Sequence, residues 1–510
     1  MSVNRNIFAN FAGQGVASVL SLLLVPVYIH YLSIEAYALV GLYGVIQVWL
    51  TLLDLGMTPT LNREMARFTA GAVTAKSIKD LLRSLEIIVG ALGIMIALTL
   101  TAASGFLANH WLNVQQLPAE EIARGLSLVG VVVGLRFCEG IYRSGIIGLQ
   151  QQVWLNIAGV LLALLRSVGA IAVLMVSPTI QAFFLWQAFI SIVTLVVMGA
   201  KLHLALPRTP DPGRFSLPAL MEVRHFAGGM LGMTVLAVLL TQVDKLLLSR
   251  LLPLDQFGYY MLASAVASSL YLVIGPVTQA IYPNLVRLYT AGAERPLVEA
   301  YHQASQATTV LLAPTTLMFV AFPREILLTW SGSNTLADNT APILAMLAAG
   351  TFLNALMQVP HHLQLASGWT SLAVQMNIVA VIVLVPALLV TVPLYGPVAA
   401  ASIWAVLNAG YIVVGIPLLH RRLLPGEMRN WLVGDILLPM IGAAVAVATG
   451  VLFTPAVTAS RLMMLIFLVV TGLVATVGAA ALAGSIRHRA IQALSLAIAR
   501  RNAKRIAPRG

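Results

Sequence analysis

Long apolar runs dominate this chain, broken at intervals by short clusters of charged, proline and glycine residues. A helix needs about 20 apolar residues to cross a bilayer, so runs of this length predict membrane spans. They fall at 8–29, 37–57, 86–107, 125–147, 153–176 and 180–200, then at 226–250, 258–281, 304–322, 341–361, 371–392 and 397–419. A last pair, 432–453 and 461–483, brings the count to about fourteen. The expected fold class is an all-α polytopic membrane protein, and an even count puts both termini on one face.

The longest internal connection, 201–225, contains the turn-rich stretch Pro-Arg-Thr-Pro-Asp-Pro-Gly at 207–213 and divides six spans from the next six. An offset of 220 residues aligns Glu35 with Asp255, Tyr37 with Phe257 and Arg67 with Arg287. Duplicated six-helix halves are a transporter arrangement, with the substrate between them. The expected organisation is an N-lobe at 1–200, a cytoplasmic linker at 201–225, a C-lobe at 226–420, an extra helix pair at 421–484 and a basic tail at 485–510. In the tail Ile486, Ile491, Leu494 and Ile498 recur at near-helical spacing among arginines. Two readings stand for it: a helix lying on an anionic leaflet, or a disordered segment that fixes topology.

Composition narrows the class further. Hydrophobic residues make up 59% of the 510 and charged residues 9%, against about 25% charged in soluble domains. A soluble enzyme, a nucleic-acid-binding domain and a secreted module are excluded. The net charge of +12 is therefore read as topology: with the N-terminus in the cytoplasm, 22 of the 30 Lys and Arg lie on that side, four lie opposite and four fall within spans. The one cysteine, Cys138, allows neither a disulfide framework nor a thiolate metal cluster. Neither G-x-x-x-x-G-K-S/T, H-E-x-x-H nor G-x-S-x-G occurs, and no loop is long enough for a soluble catalytic domain. Transport without a cofactor is the expected activity.

Candidate chemistry lies in charges at hydrocarbon depth. Asp54, Arg136, Glu139, Arg143, Arg166, Asp244 and Lys245 fall in or at the edges of expected spans. Facing lipid they would cost about 20 kcal/mol together, so they pair, snorkel or line a wet cavity. Arg136, Glu139 and Arg143 are spaced i, i+3 and i+7, which places them on one helical stripe, with Cys138 turned away toward packing or lipid. A salt-bridge ladder is one reading. One carboxylate cannot neutralise two guanidinium groups, however, and Arg166 adds a third, so the surplus positive charge favours an anionic ligand. Asp244 and Lys245, adjacent on a helix, point about 100° apart and cannot pair well. Lys245 is a candidate ligand contact or a snorkelling group. Asp54 and Asp244 are candidates for ion coupling, with helix-end capping the competing role for Asp54.

Several strings resemble a known family. Tyr31-Leu-Ser-Ile-Glu-Ala-Tyr-Ala-Leu-Val-Gly-Leu-Tyr-Gly44, Leu52-Leu-Asp-Leu-Gly-Met-Thr-Pro-Thr60 and Arg63-Glu-Met-Ala-Arg-Phe68 look like the opening helices of bacterial O-antigen and polysaccharide flippases. Tyr142-Arg-Ser-Gly-Ile-Ile-Gly-Leu-Gln150, Gln242-Val-Asp-Lys-Leu-Leu-Leu-Ser249 and Pro253-Leu-Asp-Gln-Phe-Gly-Tyr-Tyr260 look like later segments of the same family. That family belongs to the multidrug/oligosaccharidyl-lipid/polysaccharide exporter (MOP) superfamily. The resemblance implies two six-helix bundles in a V, alternating access, residence in the bacterial inner membrane and a polyprenyl-diphosphate-linked oligosaccharide moved to the outer leaflet. Membrane lipids and polysaccharide-assembly proteins are the implied partners, and nucleic acid is not one. Arg136, Glu139, Arg143, Arg166 and Lys245 would form the substrate site. The competing functions are a cation-coupled multidrug exporter, which calls for an acidic cavity, and an integral glycosyltransferase or polymerase, against which the short outer loops argue.

Overall fold

The computed structural model describes residues 22–207, 213–218, 221, 235, 238–239, 241–455 and 460–487. The expected first span, much of the linker and of the seventh span, and the basic tail beyond residue 487 lie outside the described residues. Among the described residues the chain is helical, with one isolated bridge between Asn113 and Pro253 and no strand. The helices are α1 (Val25–Leu32), α2 (Ile34–Trp49), α3 (Met57–Thr69), α4 (Ala75–Phe106), α5 (Ala119–Gly148), α6 (Gln152–Val176) and α7 (Ile180–Ala205). Helical backbone at 241–251 forms α8. Then come α9 (Leu254–Ser268), α10 (Leu270–Thr290), α11 (Glu294–Ala321), α12 (Pro323–Ser331), α13 (Asn334–Leu356), α14 (Gln358–Ala366), α15 (Ser371–Gly410), α16 (Ile416–Leu423), α17 (Leu438–Leu452) and α18 (Arg461–Leu482).

Among the described residues, eleven helical stretches are long and apolar enough to cross a membrane. One of them, Ser371–Leu423, runs 53 residues, more than twice the length a span needs. Gly396, with a positive φ of 67°, breaks it into two helices at the boundary between the spans expected at 371–392 and 397–419. Side-chain caps begin several of these helices. Thr74 on α4, Thr179 on α7, Ser333 on α13 and Ser460 on α18 each accept from a backbone N–H one turn on.

The chain forms two compact units, 1–262 with 385–397, and 263–384 with 398–510. In unit 1, α5 packs against α4 backbone to backbone, since a Cβ on Gly134 would collide with the carbonyl of Gly93 and one on Gly130 with Leu100. Small residues let helices approach this closely where lipid supplies no hydrophobic drive. The core beneath joins Leu61, Met65, Leu82, Leu85, Ile141, Leu155, Met198 and Leu202. Cys138 packs on this core and donates its S–H toward the Val89 carbonyl at 3.5 Å, so of the two surroundings its helical angle allows, packing or lipid, it takes packing. Unit 2 has its own core around Tyr301, Phe322 and Trp431, with α17 and α18 built into it. Gly442 and Gly478 bring those last two helices into backbone contact.

Two helices, one in each unit, end alike. Helix α3 ends at Thr69 with Gly71 left-handed, and α10 ends at Thr290 with Gly292 left-handed. In both, an N–H five residues on closes the last turn, from Ala72 to the Arg67 carbonyl and from Ala293 to the Leu288 carbonyl.

Candidate functional site

Helices α5, α6 and α7 enclose a cavity of about 210 Å3 within unit 1. Arg136, Glu139 and Arg143 face it from α5, Asn156, Gly159 and Arg166 from α6, and Thr194 and Met198 from α7. The turn between α5 and α6 fixes this arrangement. Gln150 takes φ 58°, and Gln151 donates to the Ile146 carbonyl at 3.2 Å, so α6 folds straight back along α5. A Cβ at Gly159 would meet nothing within 4 Å, which leaves the α6 wall open there. Leu155 and Met198 belong both to the core and to the lining, so the cavity sits directly on packed apolar side chains.

The charged groups in this cavity do not neutralise one another. Among the described residues no ion pair within 4.0 Å involves Arg136, Glu139, Arg143 or Arg166, so the salt-bridge ladder does not form. Arg166 instead donates to three neutral acceptors on α7: Gln187 Oε1 at 3.4 Å, Ser191 Oγ at 3.3 Å and Thr194 Oγ1 at 3.4 Å. Its backbone carbonyl accepts from Trp186 Nε1 at 3.1 Å, which holds α7 against this turn of α6. Arg136 Nε is buried without a hydrogen-bond partner, and Arg143 is exposed at the cavity edge. Three guanidinium groups and one carboxylate leave a net charge of +2. Neutral dipoles orient guanidinium groups without cancelling their charge, so the cavity is suited to an anion rich in acceptor oxygens. It is smaller than the roughly 300–1,000 Å3 of drug-sized pockets, and fits a compact head group.

The remaining candidates lie elsewhere. Asp54 sits at the break between α2 and α3, where Leu55 and Gly56 are left-handed. Its carboxylate accepts from Thr58 N at 3.1 Å and from Thr58 Oγ1 at 2.5 Å, which caps the start of α3. Asp244 accepts from Tyr260 Oη at 2.9 Å, and Lys245 donates to the Thr241 carbonyl at 2.8 Å. The two side chains approach only to 3.8 Å, the poor pairing that adjacent helix positions impose. None of Asp54, Asp244 and Lys245 lines the cavity.

The sequence reasoning passed over the polar stripe of α7, because Gln187, Ser191 and Thr194 carry no charge; their spacing of four and three residues was the available signal. The seven ionisable residues placed in or at the edges of expected spans omit an eighth. Asp435, inside the expected span 432–453, is 2% exposed and belongs to a second cluster. Its Oδ2 lies 2.5 Å from His302 Nδ1, and its Oδ1 accepts from Gln306 Nε2 at 3.0 Å. His302 Nε2 reaches Glu427 at 3.1 Å, and Gln306 Oε1 accepts from the backbone N of Ser485 at 3.0 Å. The cluster clamps α11 to the last two helices, which answers how a carboxylate is tolerated at that depth.

Residues 3–289, which include the whole cavity, match the family described as polysaccharide biosynthesis protein. The chain belongs to that family. The fold is similar to that of the lipid II flippase MurJ in an inward closed conformation, with TM-score 0.68, 12% identity and coverage of 93% of this chain and 97% of that one. It is also similar to an inward-facing multidrug resistance MATE family transporter of the MOP superfamily, with TM-score 0.64, 13% identity and coverage of 80% and 94%. A MOP superfamily transporter from Pyrococcus furiosus, described by the reverse polarity of its binding pocket, gives TM-score 0.51, 14% identity and coverage of 83% and 95%. At these identities the likeness is one of fold. No curated protein sequence matches the chain.

Proposed function

We propose that this polysaccharide biosynthesis family member is a flippase, carrying a polyprenyl-diphosphate-linked oligosaccharide from the cytoplasmic to the outer leaflet of the bacterial inner membrane by alternating access. Both termini face the cytoplasm in this reading, and the N-lobe carries the anion site. The observation behind it is the cavity in which Arg136, Arg143 and Arg166 meet with one carboxylate and no ion pair among the described residues. A diphosphate presents several anionic oxygens in a compact group, which guanidinium planes engage bidentately. A cavity of this volume takes the diphosphate and the edge of the sugar next to it, while the rest of the glycan and the prenyl chain stay outside. With the cytoplasm negative, moving the anion outward is favoured by about 2.3 kcal/mol per charge per 100 mV, so the loaded step needs no ATP. A cation-coupled drug exporter calls for an acidic cavity, and this one is net positive.

The test is a double neutralisation, Arg136→Gln with Arg143→Gln, in a strain whose surface glycan depends on this protein. The expected result is loss of glycan display by a factor of about 100 or more, two lost charge-assisted contacts at about 1.5–3 kcal/mol each, with membrane insertion unchanged. Wild-type display by the inserted double variant defeats the assignment.

A further inference from the structure

Four carboxylates are buried among the described residues: Glu35, Glu64, Glu139 and Asp435. Three have donors built for them. Glu35 accepts from the backbone N–H groups of Gln115, Gln116 and Leu117, Glu64 from Arg67, and Asp435 from His302 and Gln306. Glu139 is 7% exposed, its Oε2 is buried without a hydrogen-bond partner, and among the described residues no group donates to it. A buried carboxylate left without donors is strongly unfavourable, and folded chains avoid it unless the missing donor arrives from elsewhere. Glu139 lines the same cavity as the three arginines, so what enters the cavity is placed to supply that donor.

Toward a phosphate the carboxylate is a repulsive group. It lowers the affinity of any anion that offers oxygens alone, and spares one that carries an O–H or N–H beside its phosphate. Selection of this kind combines an attractive contact with a penalty against the wrong ligand. We propose that Glu139 is the specificity-determining acceptor of this cavity: it takes a hydroxyl or amide donor on the sugar next to the phosphate, so that the site selects glycosylated phosphates over bare ones. The inference rests on the reading of the arginine cavity as the phosphate site and adds to it what the carrier lipid must bear before it is bound. An unglycosylated polyprenyl phosphate meets the repulsion without the compensating hydrogen bond and is left behind.

The experiment is a cycle of variants against probes on the purified full chain in lipid nanodiscs, with glucose 1-phosphate and methyl phosphate, both dianionic near pH 8. Calorimetry on the wild type is expected to show glucose 1-phosphate binding about tenfold or more tighter than methyl phosphate, the yield of one hydrogen bond to a charged acceptor. In Glu139→Ala the preference should fall to about threefold or less while methyl phosphate binds more tightly. Glu139→Gln keeps an acceptor oxygen and nearly the same shape, so it should retain part of the preference after losing the repulsion. A preference that survives intact in Glu139→Ala, or a wild type that binds both probes equally well, overturns the inference while Arg143→Ala still weakens both. Methyl phosphate binding that is unchanged in Arg143→Ala overturns the phosphate site itself, and the inference with it.

Discussion

Two helix-turn-helix segments, one in each unit, turn alike but treat their positions in opposite ways. Left-handed residues end α5 at Gln150 and α14 at Gly368, 218 positions apart, and α6 and α15 start close to the same offset, at 152 and 371. Carrying the cavity across by 218 places Arg136 on Asn354, Glu139 on Met357, Arg143 on His361 and Arg166 on Leu384. Charge is replaced by a neutral amide, a thioether, an imidazole and an alkyl group. The amide is also fully used: Asn354 Oδ1 accepts from Tyr271 Oη at 2.9 Å, and its Nδ2 donates to Asn408 Oδ1 at 2.8 Å. Asn408 in turn donates to the Trp404 carbonyl at 2.8 Å. At this pair of positions Arg136 Nε in unit 1 is left open, where Asn354 in unit 2 is closed on its neighbours. Buried polar networks rigidify when satisfied and are costly when open, so an open one is retained where a ligand completes it. The same contrast separates the cavity from the His302 clamp, where both ring nitrogens meet carboxylate oxygens.

The sharpest way to break this comparison is to open the clamp. His302→Ala removes the partner of Asp435, which stays 2% exposed among α11 and the segment leading into α17. Breaking a buried pair from one side costs about 3–5 kcal/mol. Thermal unfolding of the detergent-solubilised protein should show a large loss of stability, and glycan display should fall with the amount of folded protein rather than per molecule. If His302→Ala folds as well as wild type but fails to transport, the clamp is a working part and the contrast with unit 1 is lost.

A smaller effect is expected at the amide ladder. Asn354→Ala deletes the neutral hydrogen bonds with Tyr271 and Asn408, worth about 1 kcal/mol each, and a longer, weaker one from Gln358 at 3.4 Å. The expected outcome is about 2 kcal/mol less stability with transport per folded molecule unchanged, measured as glycan display normalised to protein in the membrane. The corresponding position in unit 1, Arg136, should behave in the reverse way, losing transport and not stability. Transport loss at Asn354 would mean that both halves hold the cargo.

Much of this was legible in the sequence, for physical reasons that also mark where legibility ends. The spans follow from apolar run length alone, because lipid demands it. The cavity's charged wall followed from Arg136, Glu139 and Arg143 falling on one helical stripe, since a charge inside an apolar run has few places to go. Geometry at i and i+3 permits Arg136 and Glu139 to pair but does not require it, and only the packed structure shows that they stay apart. The neutral acceptors of Arg166 were hidden because Gln187, Ser191 and Thr194 look like ordinary helix residues until α6 lies against α7. The His302–Asp435 contact joins residues 133 positions apart. No local pattern encodes it, although Asp435 inside an apolar run was a visible sign that a partner had to exist.

The finest test of the saturated half lies at the edge of the clamp, in the loop between α16 and the segment Asn430–Leu437. Glu427 accepts from Asn430 Nδ2 at 2.7 Å and from His302 at 3.1 Å. The Asn430 hydrogen bond, with help from His302, holds its carboxyl below the ordinary value of 4.5. A carboxyl depressed on folding stabilises the native state above its unfolded pKa, and that contribution disappears as pH falls through the lower folded value. Wild type should therefore exceed Glu427→Gln in thermal stability at pH 6 by a small margin, since the group is partly solvated and screened. The margin should close as the pH is taken down through the acid range below 4.5. A margin at Glu427 that persists at the acid end would mean that shape rather than charge holds the loop, and would remove the outermost link from the clamp.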